Sequence, residues 1–188
     1  MSATTSGDYV VRAIRGDEWE AAKRLRLVAL RDPMAGIAFL ETYEDALTRP
    51  DSFYQERAAR SADEPSGARQ FIAEASDGEW AGTVTVLIEE AGTKDWAGFP
   101  VEWRQGHVVG VFVRPEHRGS GLVKALFDAG VAWAREEGAE RVRLLVHEDN
   151  ARAQGAYRKA GFVPSGVTVQ LDADEGKTEF EFVLEWPS

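Results

Sequence analysis

Residues 113–124 read Val-Arg-Pro-Glu-His-Arg-Gly-Ser-Gly-Leu-Val-Lys: the end of an apolar strand, a proline turn, two glycines and the start of an apolar helix. That order suits an anion. The first amides of a helix are unpaired and carry the positive end of its dipole, and glycine lets a phosphate approach the main chain. Arg118 and Lys124 add positive charge beside Gly119 and Gly121. The glycines are too closely spaced for a Walker loop or a full dinucleotide fingerprint, and a glycine-built turn without a ligand accounts for the same residues. A second stretch, Val146-His-Glu-Asp-Asn150-Ala-Arg-Ala153-Gln-Gly-Ala-Tyr157, closes a strand and opens a helix with Asn150 as its N-cap. His147 brings an imidazole that works near neutral pH and Tyr157 a phenol. By residue type alone, Tyr157 reads as a packed aromatic and His147 as a strand-end histidine open to water.

The elements that must bring these residues together are legible from hydrophobic period and turn chemistry. Tyr9–Ile14 predicts a strand, and Asp17 with Glu20 a cap for a helix carrying Trp19, Ala22, Leu25, Val28 and Ala29 until Asp32-Pro33 ends it. In residues 34–62, Phe39, Leu40, Tyr43 and Leu47 suggest a short helix, and Ser52 with Gln55 a cap for another. Residues 70–75 and 80–88 form a hairpin around Asp77-Gly78. A long connection over 91–106 holds Trp96, Phe99 and Trp103 and has the character of a binding loop, in which aromatic residues line an acceptor cleft together with Phe39 and Tyr43. A strand over 107–113, a helix from about 120 to 137, a strand over 141–146 and a helix over 150–160 ended by Gly161 make a βαβα unit. Two alternating strands, 162–171 and 178–186, close the chain as a hairpin around 172–176.

Composition narrows the chemistry. The 188 residues, 44% hydrophobic and 29% charged, suit one medium-sized domain. A net charge of −10 repels phosphate backbones and anionic membrane surfaces, so neither nucleic acid nor a membrane is expected as a partner. Without cysteine there is no thiolate nucleophile or thiolate zinc site, and with three histidines no metal is expected. His107 and His117 read as surface residues, near the acceptor loop and in the glycine turn. The polar start, residues 1–7, is expected to be a disordered leader before a single domain over 8–188, and neither a signal segment nor a membrane span is visible, which points to the cytoplasm.

Together the two stretches resemble the GNAT superfamily of acetyl-CoA-dependent N-acetyltransferases. The family's cofactor motif is Gln or Arg, two residues, Gly, one residue, Gly or Ala; Arg118-Gly119-Ser120-Gly121-Leu122-Val123 matches it except at Val123. The following Val146, Asn150, Ala153, Tyr157 and Gly161-Phe162 also fall at family positions, and residues 25–43 are similar to many bacterial members. The resemblance implies an α/β fold: a mainly antiparallel twisted sheet with one parallel central strand pair joined by a crossover helix, and helices on both faces.

The resemblance also implies roles. Acetyl-CoA would be held at Arg118, Gly119, Ser120, Gly121, Leu122, Val123 and Lys124, with Asn150 nearby. Backbone N–H groups of Val111, Phe112 and Val113, where the strand splays from 144–146, would meet the oxyanion. Tyr157, two helical turns past Asn150, would protonate the departing thiolate. An acceptor ammonium with a pKa of about 10.4 must first lose a proton. Leu145 stands where some relatives carry a glutamate base, and His147 points the same way along the strand, so His147 is the candidate base, with Glu74, Glu89 or a water relay as alternatives. The function implied is acetyl transfer to a primary amine, cationic by the acidity of the chain, with a second copy of the chain as a candidate partner. A catalytically silent acyl-CoA sensor and a transferase of a longer acyl group are the rival readings.

Overall fold

The computed structural model describes residues 4–62, 66–172 and 177–187. In chain order these form β1 (Thr4–Ser6), β2 (Tyr9–Ala13), α1 (Trp19–Leu30), α2 (Ala35–Ala38), α3 (Tyr43–Thr48), α4 (Asp51–Ala62), β3 (Ala68–Ala75), β4 (Trp80–Glu89), β5 (Gln105–Val113), α5 (Leu122–Glu136), β6 (Arg141–His147), α6 (Ala151–Lys159), β7 (Val163–Asp172) and β8 (Lys177–Glu185). One sheet holds them in the order β1-β2-β3-β4-β5-β6-β8-β7. Among the described residues only β5 and β6 pair in parallel, through the crossover helix α5, and every other strand pairing is antiparallel.

Alternation along the strands sends neighbouring side chains into different cores. Phe71 packs with Leu126, Phe127 and Trp133 of α5, whereas the adjacent Ile72 packs with Leu25 of α1 and Ala58 of α4. The buried residues of α5 (Leu122, Leu126, Phe127, Gly130, Trp133, Ala134) recur at three- and four-residue spacing, the stripe that a helix lying on a sheet requires.

Four local expectations are corrected. Thr4–Ser6 are not a free leader but pair with Tyr9–Val11, extending the sheet where the edge of β2 offers unpaired backbone groups; residues 1–3 lie outside the described residues. Asp17 does not cap α1. The N-cap is Glu18, whose carboxylate accepts from the Arg15 N–H at 2.8 Å and binds Arg12 at 2.7 and 2.9 Å. Of the residues expected to mark one short helix, Tyr43 and Leu47 lie in α3, whereas Phe39 and Leu40 follow the separate turn α2 and lie outside both; α3 is capped by Thr42, which accepts from the Asp45 N–H at 3.1 Å. Ser52 lies inside α4, which begins at Asp51 after Pro50. The closing hairpin forms, its 173–176 turn lying outside the described residues.

The connection over 91–104 is tied to the sheet by a buried ionic cluster. Arg143 of β6 binds Asp95, Glu89 (3.1 Å) and Glu181 (3.2 Å), and Asp95 also accepts from the N–H groups of Ala97 and Phe99 at 2.9 and 2.8 Å. Burial would raise the Glu89 carboxyl, but hydrogen bonds and charge from His107 and Arg143 overcome this and bring it down to about 2. We expect Glu89→Gln to cost about 3 kcal/mol, because it leaves buried cations short of a counter-charge. A carboxylate with a lowered pKa stabilises the fold above its unfolded value near 4.5 and loses that contribution as pH falls toward 2. The gap between wild type and variant in urea unfolding is therefore widest at neutral pH and narrows in acid.

Candidate active site

β5 and β6 stay paired only from Gln105–Arg141 to Val108–Leu144. Beyond that they part, and among the described residues Val109–Val113 have no strand paired on the β6 side. A bulge begins the divergence: Gly110 and Val111 lie between the Thr85–Val109 and Thr83–Phe112 partners, and Gly110 has φ +63°, a left-handed conformation that glycine adopts without strain. An isolated glycine inside an apolar strand signals such a bulge, a signal the sequence reading did not use.

The gap is one end of a cavity of about 970 Å³ lined by β5, β6, the 117–124 turn, α6, and residues of α1, α2 and α4 with Phe39–Glu41 and Arg49 beside α3. Gly119 and Gly121 both have φ +78°, and no atom lies within 4 Å of where a Cβ would stand on either. Because these glycines are left-handed, α5 starts at Leu122 instead of the expected 120, with Gly121 as N-cap and no side chain capping its first turn. A backbone cradle of this kind, with open space above it, fits a pyrophosphate.

The side chains of the turn are arranged differently from expectation. Arg118 is not free for a phosphate: its guanidinium donates to Asp32 at 2.6 Å and to the Val113 carbonyl at 3.0 Å. Lys124 pairs with Asp128 at 2.7 Å, and the Ser120 hydroxyl donates to the His117 carbonyl at 2.7 Å. What faces the cavity without a partner is the main chain. Val123 lines the wall and packs partly against the core, and Leu122 and Phe112 are buried in it.

Asn150 caps α6 by accepting from the Ala153 N–H at 3.2 Å. Gln154 donates to the carbonyls of His147 and Glu148 at 3.2 and 2.9 Å, fixing the strand end. Tyr157 reaches the cavity between Phe127 (ring centroids 5.4 Å apart) and Phe182 (6.4 Å), and its hydroxyl has no hydrogen bond to any described residue. Burial, and then the charge of Glu179, raise its phenol well above the ordinary value, so it holds its proton.

His147 also lines the cavity and is buried, correcting the water-exposed reading, but its Nδ1 accepts from the Asp149 N–H at 3.1 Å. The neutral ring therefore carries its proton on Nε2, and the lone pair a base would use is already engaged. Of the alternatives, Glu89 sits in the ionic cluster and Glu74 binds Arg12 at 3.0 Å; neither lines the cavity. His107, expected at the surface, is 1% exposed, with Nδ1 3.0 Å from Glu89 and the Trp96 ring tilted beside it at 6.1 Å between centroids.

Three carboxylates line the cavity; Asp32 and Glu41 are held by arginines, and the third is Glu179 of β8, directly across from His147 on β6 and Val169 on β7. It is 8% exposed, with no hydrogen bond to any described residue. Burial pushes it up to about 7, against a small opposing effect of Lys177. Sequence reading passed over it because Glu179 and Glu181 alternate with Phe180 and Phe182, the pattern of a strand with one face in water. Among the expected cleft aromatics, Phe39 and Trp96 line this cavity, Phe99 and Trp103 line a separate groove beside β7, and Tyr43 stacks on Arg31.

Residues 35–162 match the model of the Acetyltransferase (GNAT) family. Among curated proteins, the mycothiol acetyltransferase of Saccharomonospora viridis is 39% identical over 100 residues, covering 53% of this chain and 31% of that protein. The aminoglycoside N(6')-acetyltransferase type 1 of Stenotrophomonas maltophilia is 32% identical over 92 residues, 49% of this chain and 58% of that one. The matched part spans about a fifth to three fifths of the length of these curated relatives. In fold it is similar to the ribosomal-protein-S5-alanine acetyltransferase of Vibrio fischeri (TM-score 0.74, 13% identity, 98% and 97% of the two chains). It is also similar to the PaiA N-acetyltransferase of Thermoplasma acidophilum in complex with coenzyme A (TM-score 0.67, 16% identity, 99% and 100%). No helix among the described residues is long and apolar enough to cross a membrane.

Proposed function

The chain belongs to the GNAT acetyltransferase family, and from that premise we propose that its cavity moves the acetyl group of acetyl-CoA to a primary amine of a small molecule or peptide by direct attack. The observation that carries this reading is the opening of β6 away from β5 beside a backbone cradle, with a phenol and an unpaired carboxylate in the same cavity. Acetyl-CoA supplies a thioester carbonyl. The amides of residues 119–124 hold its phosphates, with Asn150 at the neighbouring helix start, and the free edge of β5 through Val111–Val113 offers N–H groups for negative charge developing on the carbonyl oxygen. Glu179 takes the proton that turns the acceptor ammonium into a neutral amine and passes it to solvent; after attack the nitrogen gives up a second proton, which restores the phenol once Tyr157 has protonated the departing sulfur, so the thiol leaves neutral.

Gly121→Val tests the cradle. A branched side chain at φ +78° costs about 1–2 kcal/mol of strain, but its Cβ would enter open space, so the variant is expected to fold with a modestly lower Tm. Its side chain fills the space proposed for the phosphates, and calorimetry is expected to show no acetyl-CoA binding. Wild-type affinity in this variant would move the cofactor elsewhere.

A further inference from the structure

The helical part of the cavity wall holds three arginines, Arg26 on α1, Arg49 just after α3 and Arg57 on α4. Two of them, Arg26 and Arg49, share the carboxylate of Glu41. Arg26 donates to its Oε2 through Nε and Nη2, both at 3.1 Å, and Arg49 to its Oε1 through Nε at 2.6 Å, so both oxygens are engaged. Arg57 makes no hydrogen bond or ion pair with any described residue, although it is half-buried. Burial, and next to it the charge of Arg26, act against its protonated form. Its guanidinium is thus a half-buried cation that Glu41 favours through charge alone, with no hydrogen-bond partner among the described residues, beside two others bonded directly to that carboxylate.

The surroundings are selective in two further ways. Arg26 lies over Phe39 at 4.7 Å and Arg49 over Phe53 at 4.3 Å, which fixes both guanidiniums on aromatic faces, and Leu40 and Trp96 line the same space while remaining 63% and 48% exposed. The cavity wall as a whole carries seven lysines and arginines against three carboxylates, on a chain whose net charge is −10. The local field therefore has the opposite sign to that of the molecule, and the acidity of the chain does not describe what this cavity attracts.

We propose that the acceptor bears a carboxylate in addition to its amine, on an apolar body, and that Arg57 receives that carboxylate. A planar guanidinium with free N–H groups matches a carboxylate through two parallel hydrogen bonds, and a desolvated site strengthens them. Phe39, Phe53, Leu40 and Trp96 cover the apolar body, while Glu179 meets the amine. The inference rests on the acetyl-transfer reading of the cavity and refines the simple cationic amine expected from composition into a zwitterion.

The test separates the two. Acetyl-CoA affinity of the full chain is measured first by calorimetry. Its absence would overturn the acetyl-transfer reading, independently of what the arginines do. The protein is then titrated with 3-phenylpropionate and with its neutral isostere 3-phenylpropionamide, neither of which can be acetylated. Wild type is expected to bind the carboxylate at least tenfold more tightly than the amide. Arg57→Gln is expected to abolish that preference while keeping wild-type acetyl-CoA affinity, which also reports that the variant is folded. Equal affinity for the two probes, no binding of either, or a preference that survives in Arg57→Gln would overturn the proposal. So would weakened acetyl-CoA binding in the variant, because the arginine would then serve a coenzyme phosphate.

Discussion

Tyr157→Phe is expected to leave acetyl-CoA affinity unchanged and to lower kcat by about 10²–10⁴-fold, the usual loss when a general acid or base is removed. The ring is held by Phe127 and Phe182, and phenylalanine preserves those contacts. The hydroxyl makes no hydrogen bond within the described residues, so deleting it leaves no buried partner unsatisfied and the Tm should hold. The phenol, raised by burial, is protonated across the working pH range. It can give its proton to a thiolate and does not ionise on its own. Calorimetry with acetyl-CoA and steady-state kinetics on the same preparation separate binding from proton transfer. A variant with full activity would remove Tyr157 from the reaction and return it to the packed aromatic that its residue type suggests.

Glu179→Gln is expected to reduce kcat/KM by about 10²–10³-fold at neutral pH, the scale of a lost general base. Its pH profile is the sharper signature. A base acts when deprotonated, and Glu179 sits at about 7, so wild-type kcat/KM rises with pH through that region and levels off above it. The variant should lose this limb, whereas His147→Ala should keep it, since the histidine's Nδ1 is engaged by Asp149. The titratable groups around Glu179 are His147 across β6, Tyr157 of α6 and Lys177 on its own strand; β7 presents Val169. Stability should move the opposite way to activity. A carboxyl whose folded pKa lies above its unfolded value of 4.5 favours folding while protonated and loses that advantage as pH climbs from about 4.5 through about 7. At pH 8 the neutral glutamine should therefore be at least as stable as the buried carboxylate it replaces. An unchanged acidic limb in Glu179→Gln would assign the base elsewhere.

The parts of the fold that could be read in the sequence are those where local chemistry and tertiary structure agree. The parallel pair and its crossover follow from an apolar strand, a glycine turn and an apolar helix stripe, and Asn150 caps α6 as its position before the helix requires. Reading failed where one residue had several possible partners. Asp17 and Ser52 are good caps in isolation, yet the turn before α1 is taken by the Glu18 carboxylate bound to Arg12 and Arg15, and α4 starts one residue before Ser52. Arg118 carries charge beside the cradle, but Asp32, 86 residues earlier, claims it. Glu179 and Arg57 were invisible for the same reason in reverse. Each looks like an ordinary surface charge until β6 and β7 cover the first and Glu41 is used up by Arg26 and Arg49 beside the second.

The most direct measurement incubates the protein with acetyl-CoA and a panel of amines, including zwitterionic ones, and quantifies free CoA and N-acetylated product in the same sample. The cavity geometry predicts equimolar CoA and N-acetyl amine with at least one acceptor, and near loss of both in Tyr157→Phe despite unchanged acetyl-CoA affinity. Tight acetyl-CoA binding with no N-acetylated product from any acceptor, in wild type and variant alike, would contradict it and identify the chain as a silent acyl-CoA-binding module.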